Sequence, residues 1–282
     1  MKSSIGILEI STLPNVQNVA DASRFVVGVP VGVKSINKLG FELSGTVMSS
    51  ALIDTVDVSV NGTPIQAFQE AVHAELIQDY YGEITPADRF ALQFGRSHLT
   101  RKSERELFFI GCADVDTLQI QGNIAGATAP AIAAYEQKTV LQQVGEKGQA
   151  VANRNRLGLF TKVKNFTYTL TGAGTTEVDN IPREAFLQAL HLIQSADVIT
   201  NVEAWVDGRK IWDASKARMT NEVQDAGRTK QASTYHLDWM LENELGSQLP
   251  LVGSQDFRLK IAHSGGATVN LYAEYLSTFA GI

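Results

Sequence analysis

A chain of 282 residues has room for two domains of ordinary size. Hydrophobic residues make up 44%, enough for a globular core and too many for a disordered chain. The formal net charge of -6 argues against a protein whose main task is gripping nucleic acid. The N-terminus, Met1-Lys2-Ser3-Ser4-Ile5-Gly6-Ile7-Leu8-Glu9, lacks the continuous apolar stretch of a secretory signal. No run approaches the roughly 20 apolar residues of a membrane span, so export by the general pathway is not expected. The single cysteine, Cys112, cannot form an intrachain disulfide and reads as a small buried core residue.

In chain order, residues 24–33 are rich in valine, with Gly28, Pro30 and Gly32 limiting them to short or edge segments. Leu39-Gly40-Phe41-Glu42-Leu43 alternates as a half-buried strand does. Val56-Asp57-Val58-Ser59-Val60 alternates too, and runs into an Asn61-Gly62 turn. Such a turn predicts Val58 opposite Ile65 across the hairpin. A helix is expected over residues 67–81, where Phe68, Val72, Leu76 and Tyr80 recur at four-residue steps and Gly82 supplies a stop. Phe90-Ala91-Leu92-Gln93-Phe94 and Leu118-Gln119-Ile120 return to strand alternation. Between them, residues 96–105 form the densest basic patch, read as a solvated loop with a lipid- or partner-facing role as the functional alternative. Residues 145–156 are polar, glycine-bearing and aperiodic, as expected of a linker in which Arg154 and Arg156 are solvated.

The second half repeats the first. Phe166-Thr167-Tyr168-Thr169-Leu170 alternates, Gly172-Ala173-Gly174 and Gly265-Gly266 read as turns, and Val202-Glu203-Ala204-Trp205-Val206 enters an Asp207-Gly208 turn. Gly62 and Gly208 lie 146 residues apart, and that offset holds without a gap to Asp79 and Asp225. It predicts Ala204 opposite Ile211. A second helix follows over residues 213–225, with Met219 and Val223 on its apolar face and Gly227 at its end. Tyr235-His236-Leu237-Asp238-Trp239 then matches Phe90-Ala91-Leu92-Gln93-Phe94 after one residue of slippage, and Val269 to Leu276 closes the pattern. The same hairpin, helix and strand in the same order is the signature of a tandem duplication. Short strands about ten residues apart suggest sandwiches or barrels.

The sequence offers little chemistry. The five histidines, His73, His98, His191, His236 and His263, show no metal-ligand spacing, and the closely spaced histidines of a bicupin enzyme are missing. His236 falls on the strand face opposite Tyr235, Leu237 and Trp239, which predicts a surface or interface position. No nucleophile elbow and no phosphate-cradling loop occurs. Asp114, Asp116, Asp54 and Asp57 leave room for a structural calcium ion, but calcium takes about six to eight oxygens, so other loops would have to contribute. No catalytic, cofactor-binding or metal-binding residue is therefore assigned, and no cofactor is required.

Duplication, element order and particular strings together resemble the corticovirus-type major coat proteins, the double jelly-roll group of lipid-containing phages. The strings are Val58-Ser59-Val60-Asn61-Gly62, Asp79-Tyr80-Tyr81-Gly82, Leu92-Gln93-Phe94-Gly95-Arg96 and Ala113-Asp114-Val115-Asp116-Thr117-Leu118 in the first half. In the second half they are Val206-Asp207-Gly208, Phe257-Arg258-Leu259 and Tyr272-Ala273-Glu274-Tyr275-Leu276. Ser97 stands where the family pattern has proline after Phe-Gly-Arg.

The resemblance implies an all-β chain of two tandem eight-stranded jelly-roll β-sandwiches with a short helix in each. The boundaries expected are 1–144, a linker at 145–156, and 157–282. It also implies a non-enzymatic major capsid protein of an icosahedral virion, trimeric in pseudo-hexagonal tiles over an internal membrane. Its partners would be neighbouring trimers, vertex (penton) proteins, minor membrane-associated capsid proteins and lipid, without sequence-specific nucleic-acid binding. Synthesis and assembly are expected in the host cytoplasm. Two rivals stand beside this reading. One is a carbohydrate-binding or glycan-processing tandem sandwich, for which exposed members of the trio Trp205, Trp212 and Trp239 would speak; alternation puts Trp239 inward and Trp205 opposite Val206. The other is a phage fibre or baseplate component.

Overall fold

Apolar residues at every second position are what turn this chain into paired sheets. Residues 6–83, 86, 88–141 and 155–278 are described by the structure, a computed structural model. The chain divides into two compact units. One comprises the described residues of Met1–Asp79, Glu83–Thr161 and Thr278–Ile282, the other Tyr80–Gly82 and Lys162–Ser277.

In the first unit β1 (Gly6–Thr12), β2 (Arg24–Val29), β3 (Ser35–Ser44), β4 (Ile53–Val60) and β5 (Thr63–Glu70) lead to the helix α1 (Ala71–Tyr80). Then come β6 (Arg89–Gln93), the short helix α2 (Lys102–Leu107), the two-residue β7 (Ile110–Gly111), β8 (Leu118–Ile124) and β9 (Ala131–Leu141). One sheet runs β1–β9–β3–β6, the other β5–β4–β8–β2. Val56, Val58 and Val60 are buried along β4, as are Leu118 and Ile120 along β8. Phe25 of one sheet meets Phe41 of the other at 6.4 Å, and Phe41 stacks on Phe90 at 5.3 Å, closing the core between the two layers.

The second unit contains most of β10 (Leu159–Leu170), then β11 (Gly174–Val178), β12 (Phe186–Gln194), β13 (Ile199–Val206), β14 (Arg209–Ser215) and α3 (Lys216–Asp225). They are followed by β15 (Thr234–Asp238), the two-residue β16 (Leu249–Pro250), β17 (Phe257–His263) and β18 (Ala267–Thr278). Its sheets run β15–β12–β18–β10 and β11–β17–β13–β14. Counting the eight principal strands of each unit, both give the same arrangement. First, eighth, third and sixth form one sheet; second, seventh, fourth and fifth form the other. That is the eight-stranded jelly roll, built twice.

The hairpins at the centre of the repeat share their turn conformation. Asn61 and Gly62 have φ of 50° and 80°, Asp207 and Gly208 of 48° and 76°, the paired positive values of a two-residue hairpin turn. The cross-strand partners differ from those expected. Val58 faces Gln66 and Ser59 faces Pro64, so Ile65 is an extra residue. Ala204 likewise faces Trp212 and Trp205 faces Lys210, leaving Ile211 extra. A bulge thus sits at the equivalent position in both copies, sharpening the twist of each hairpin. Since no side chain crowds Gly208 and only its φ of 76° constrains it, Gly208→Val is expected to cost about 1–2 kcal/mol in urea unfolding. A change of a few tenths would contradict the strained turn.

Both helices start later than the sequence suggests, because β5 and β14 continue to Glu70 and Ser215. Phe68 is therefore a strand residue. The buried face of α1 is Ala71, Ala74, Ile77 and Tyr80, while Val72 and Leu76 are only half-buried. Met219 and Val223 of α3 are buried as expected. Each helix ends on a left-handed glycine, Gly82 at φ 84° and Gly227 at φ 76°. The next amide closes back five residues, Glu83 N–H to Gln78 and Arg228 N–H to Val223.

Most of the expected linker at 145–156 lies outside the described residues. Asn155 does not behave as part of a solvated tether, whereas Arg156 is exposed as expected. Asn155 is buried, accepts a hydrogen bond from Ser35 Oγ at 3.1 Å, and takes the Ala113 N–H on its carbonyl at 2.8 Å. Residues 155–157 are thereby held along residues 111–114, within the first unit.

Candidate functional site

Several of the polar residues singled out in the sequence are occupied with structure, while Asp54 and Asp116 are exposed. Asn61 Oδ1 accepts the backbone N–H groups of Asp116 and Thr117 at 2.8 and 3.1 Å. Asp207 Oδ1 does the same for Gln255 and Asp256 at 2.7 and 2.8 Å. Each hairpin tip thus pins the loop that feeds the seventh principal strand of its own unit. Asp114 accepts the Leu157 N–H at 2.8 Å, and Asp57 pairs with Arg24 at 3.1 Å. Among the described residues no group of three or more His, Cys, Asp or Glu is placed to hold a metal ion. His263 is fixed between the Gly172 and Gly265 carbonyls and Thr176 Oγ1 at 2.9 to 3.0 Å. Cys112 is buried, which pushes its thiol up to about 12 and out of reach of nucleophilic chemistry at neutral pH.

Glu75, half-buried on α1, is pushed up to about 7, by burial first; Ser50 Oγ, donating at 2.8 Å, opposes this and nearby Asp79 adds to it. A carboxyl raised in this way contributes its full stability below about pH 4.5 and loses it as pH rises through about 7. Glu75→Gln is therefore expected to stabilise the protein by about 1 kcal/mol at pH 8, a figure reduced for partial exposure, and to change nothing at pH 4. Paired denaturant melts at the two pH values measure this.

The basic segment is only partly solvated. Arg96 is buried and donates through Nε and Nη2 to Thr161 Oγ1 at 3.1 and 2.8 Å, with its guanidinium 6.0 Å from the Phe108 ring centroid. Leu99 is buried as well. Arg101 and Lys102 are exposed and form surface pairs with Glu104 and Glu106 on α2. Apart from Leu107 on α2, exposed apolar side chains lie elsewhere. In the first unit they include Leu8 and Ile10 on the edge strand β1, with Val31 and Val33 after β2; in the second they are Phe186 and Val252. Ile10, at 69% exposure, borders a groove formed with Glu42, Arg89 and Tyr135. Apolar groups on an edge strand mark contact surfaces when a protein assembles.

The second unit also holds a buried polar cluster that the sequence reading missed. His236 was expected at a surface or interface, yet β15 is buried on both faces within the second unit. Its outer face is covered by Tyr80, whose ring stacks on His236 at 4.0 Å and meets His191 edge-on at 5.4 Å. His191 Nδ1 and His236 Nδ1 are 2.8 Å apart. Tyr80 donates to Asp238 Oδ2 at 3.0 Å and Tyr81 to Glu274 Oε2 at 2.6 Å. Arg228 reaches Asp238 Oδ2 at 3.2 Å, Asn243 Oδ1 at 2.6 Å and the Met240 carbonyl at 3.0 Å, and lies over both tyrosine rings. One sequence signal pointed here. The structure places the two helices and their closing glycines 145 residues apart, one fewer than the hairpin tips, so the offset slips before the helix; Tyr80-Tyr81 then matches Asp225-Ala226, and His236 matches Ala91. The repeats depart from each other at the residues that meet.

The tryptophans form no open platform. Trp212 and Trp239 pack edge-to-face at 5.9 Å against the core. Trp205 donates to Glu203 Oε2 at 2.9 Å and is flanked by the Lys210 and Lys260 ammonium groups at 5.6 and 5.2 Å.

Comparison with known proteins accounts for the duplicated fold. A family model described as the viral coat protein P2 N-terminal domain matches residues 10–139, and one described as the viral coat protein P2 C-terminal domain matches residues 160–279. Among solved structures, the major capsid protein P2 from bacteriophage PM2 is similar at a TM-score of 0.84 and 23% identity, over 97% of this chain and 98% of that one. The PBCV-1 virus capsid gives 0.70 at 9% identity over 99% and 95%. The STIV MCP gives 0.68 at 13% identity over 97% of each chain. A search of curated protein sequences returned no match.

Proposed function

Because the chain belongs to the viral coat protein P2 family, matching both of its domain models in order, we propose that it is the major capsid protein of an icosahedral virion. In this reading it is a homotrimer that tiles the shell as pseudo-hexagons over an internal membrane. The observation that carries the reading is the jelly roll built twice with one strand order. Two similar barrels, within 1–144 and 157–282 on either side of 145–156, give three chains six comparable corners with which to contact neighbouring trimers.

The protein acts without catalysis and requires no cofactor, although calcium as a structural ion is compatible with the role. Its remaining partners are vertex proteins, minor membrane-associated proteins and the lipid surface; it reads no nucleic-acid sequence. It is made and assembled in the host cytoplasm. The exposed Leu8, Ile10, Phe186 and Val252 are the side chains such contacts would cover. Light scattering coupled to size exclusion is expected to give a trimer that survives dilution and moderate salt, and negative-stain microscopy to give hexagonal tiles or closed shells. A persistent monomer that forms neither would overturn the proposal.

A further inference from the structure

We propose that the His191–His236 pair is an acid-operated latch, which releases Tyr80 and Tyr81 from their seat in the second unit when it takes up protons. The inference stands on the cluster's geometry and does not depend on the shell reading. Two imidazole nitrogens 2.8 Å apart must share one proton. His191 Nε2 lies 3.4 Å from Glu274 Oε2 without a hydrogen bond, so within the pair one ring donates from Nδ1 and the other accepts there. Among the described residues neither His191 Nε2 nor His236 Nε2 has a hydrogen-bonding partner, and the ring that donates from Nδ1 keeps a bare lone pair at Nε2. His236 also lines a small crevice together with Lys216, Thr220, Lys230 and Gln231. That crevice has about 10 Å3 of free volume, the room of one water molecule, and gives a proton its way in.

The charged and titratable groups around the pair come from every packed element. Glu274 faces it from β18, Asp238 lies beside His236 on β15, Lys216 approaches from α3, Arg228 follows that helix, and Tyr80 and Tyr81 cover the pair from the end of α1. Asp238 is engaged by Arg228 and Tyr80, and Glu274, whose Oε2 accepts from the Tyr81 hydroxyl, is the carboxylate nearest His191. A first extra proton can lean on Glu274. A second sets two N–H groups head-on across the 2.8 Å gap, and the bond that aligns both rings under Tyr80 is lost. Burial, then His191 and Lys216, hold His236 well below its ordinary 6.5, with Glu274 opposing. The seat is therefore fully stable above about pH 6.5 and weakens as pH falls below it, by up to tenfold per pH unit for each proton taken up on release.

The test is hydrogen exchange of the full chain by mass spectrometry at pH 7.5, 6.0 and 5.0, corrected for intrinsic rates. The opening equilibrium of peptides covering Tyr80–Gly82 and β15 is expected to rise at least tenfold between pH 6.0 and 5.0, while β13 changes less. His236→Phe keeps a ring under Tyr80 but cannot titrate, and is expected to reduce that rise below threefold. Should His236→Phe fail to fold, His236→Gln carries the same comparison. A flat wild-type profile, or an undiminished tenfold rise in the variant, overturns the latch.

Discussion

Asp238→Ala is expected to lower the stability of the second unit by about 3–5 kcal/mol, read from the urea midpoint with tryptophan fluorescence as the probe. Asp238 and Arg228 are 1% and 6% exposed, and the carboxylate is saturated: Oδ2 takes Arg228 Nε and the Tyr80 hydroxyl, Oδ1 takes the Met240 N–H at 2.7 Å. Removing it strands a guanidinium in the interior and orphans a hydroxyl and an amide at once. The cost is that of the uncompensated buried charge, which exceeds the net worth of the pair itself. Asp238→Ala with Arg228→Met should recover a large part of the loss, since no charge is then left alone. A single variant within about 1 kcal/mol of wild type would mean that water reaches the site and the network does not secure Tyr80.

The duplication and its turns were legible because they depend on local chemistry. Asn61-Gly62 and Asp207-Gly208 need positive φ, and alternation in β4 and β13 needs one buried face. The register was not legible. A bulge at Ile65 and Ile211 changes no composition and follows from the twist that each hairpin must take against its neighbour in the sheet. His236 was misplaced for a related reason. Period-two alternation identifies one face of β15 as inward but is silent on whether another segment covers the opposite face, and here Tyr80 does. Arg96 hid in the same way, since a guanidinium in a basic run gives no sign that Thr161 and Phe108 await it. What the sequence did carry, in the mismatch of Tyr80-Tyr81 with Asp225-Ala226, becomes readable only once both repeats are aligned on their helices.

Gly111→Ala is expected to cost about 3 kcal/mol in the first unit. The backbone there needs no left-handed conformation, so the glycine is required by space alone. A Cβ on Gly111 would stand 2.0 Å from the Arg156 carbonyl oxygen, 2.2 Å from its carbon and 2.7 Å from the Asn155 oxygen. These are backbone atoms of a segment fixed on three sides, by Ser35 and Ala113 on Asn155 and by Asp114 on the Leu157 N–H. No side chain can rotate away, so the segment itself must lift, breaking those bonds and exposing the buried Asn155 and Leu157. Gly158→Ala is the matched control. It lies two residues beyond Arg156, has nothing within 4 Å of its Cβ position and no positive φ, and should be neutral or stabilising by about 0.4–1 kcal/mol. Denaturant melts of the two variants side by side separate close approach from any general effect of replacing glycine. If both behave alike, residues 155–157 are not seated against Gly111, and the first unit ends before them.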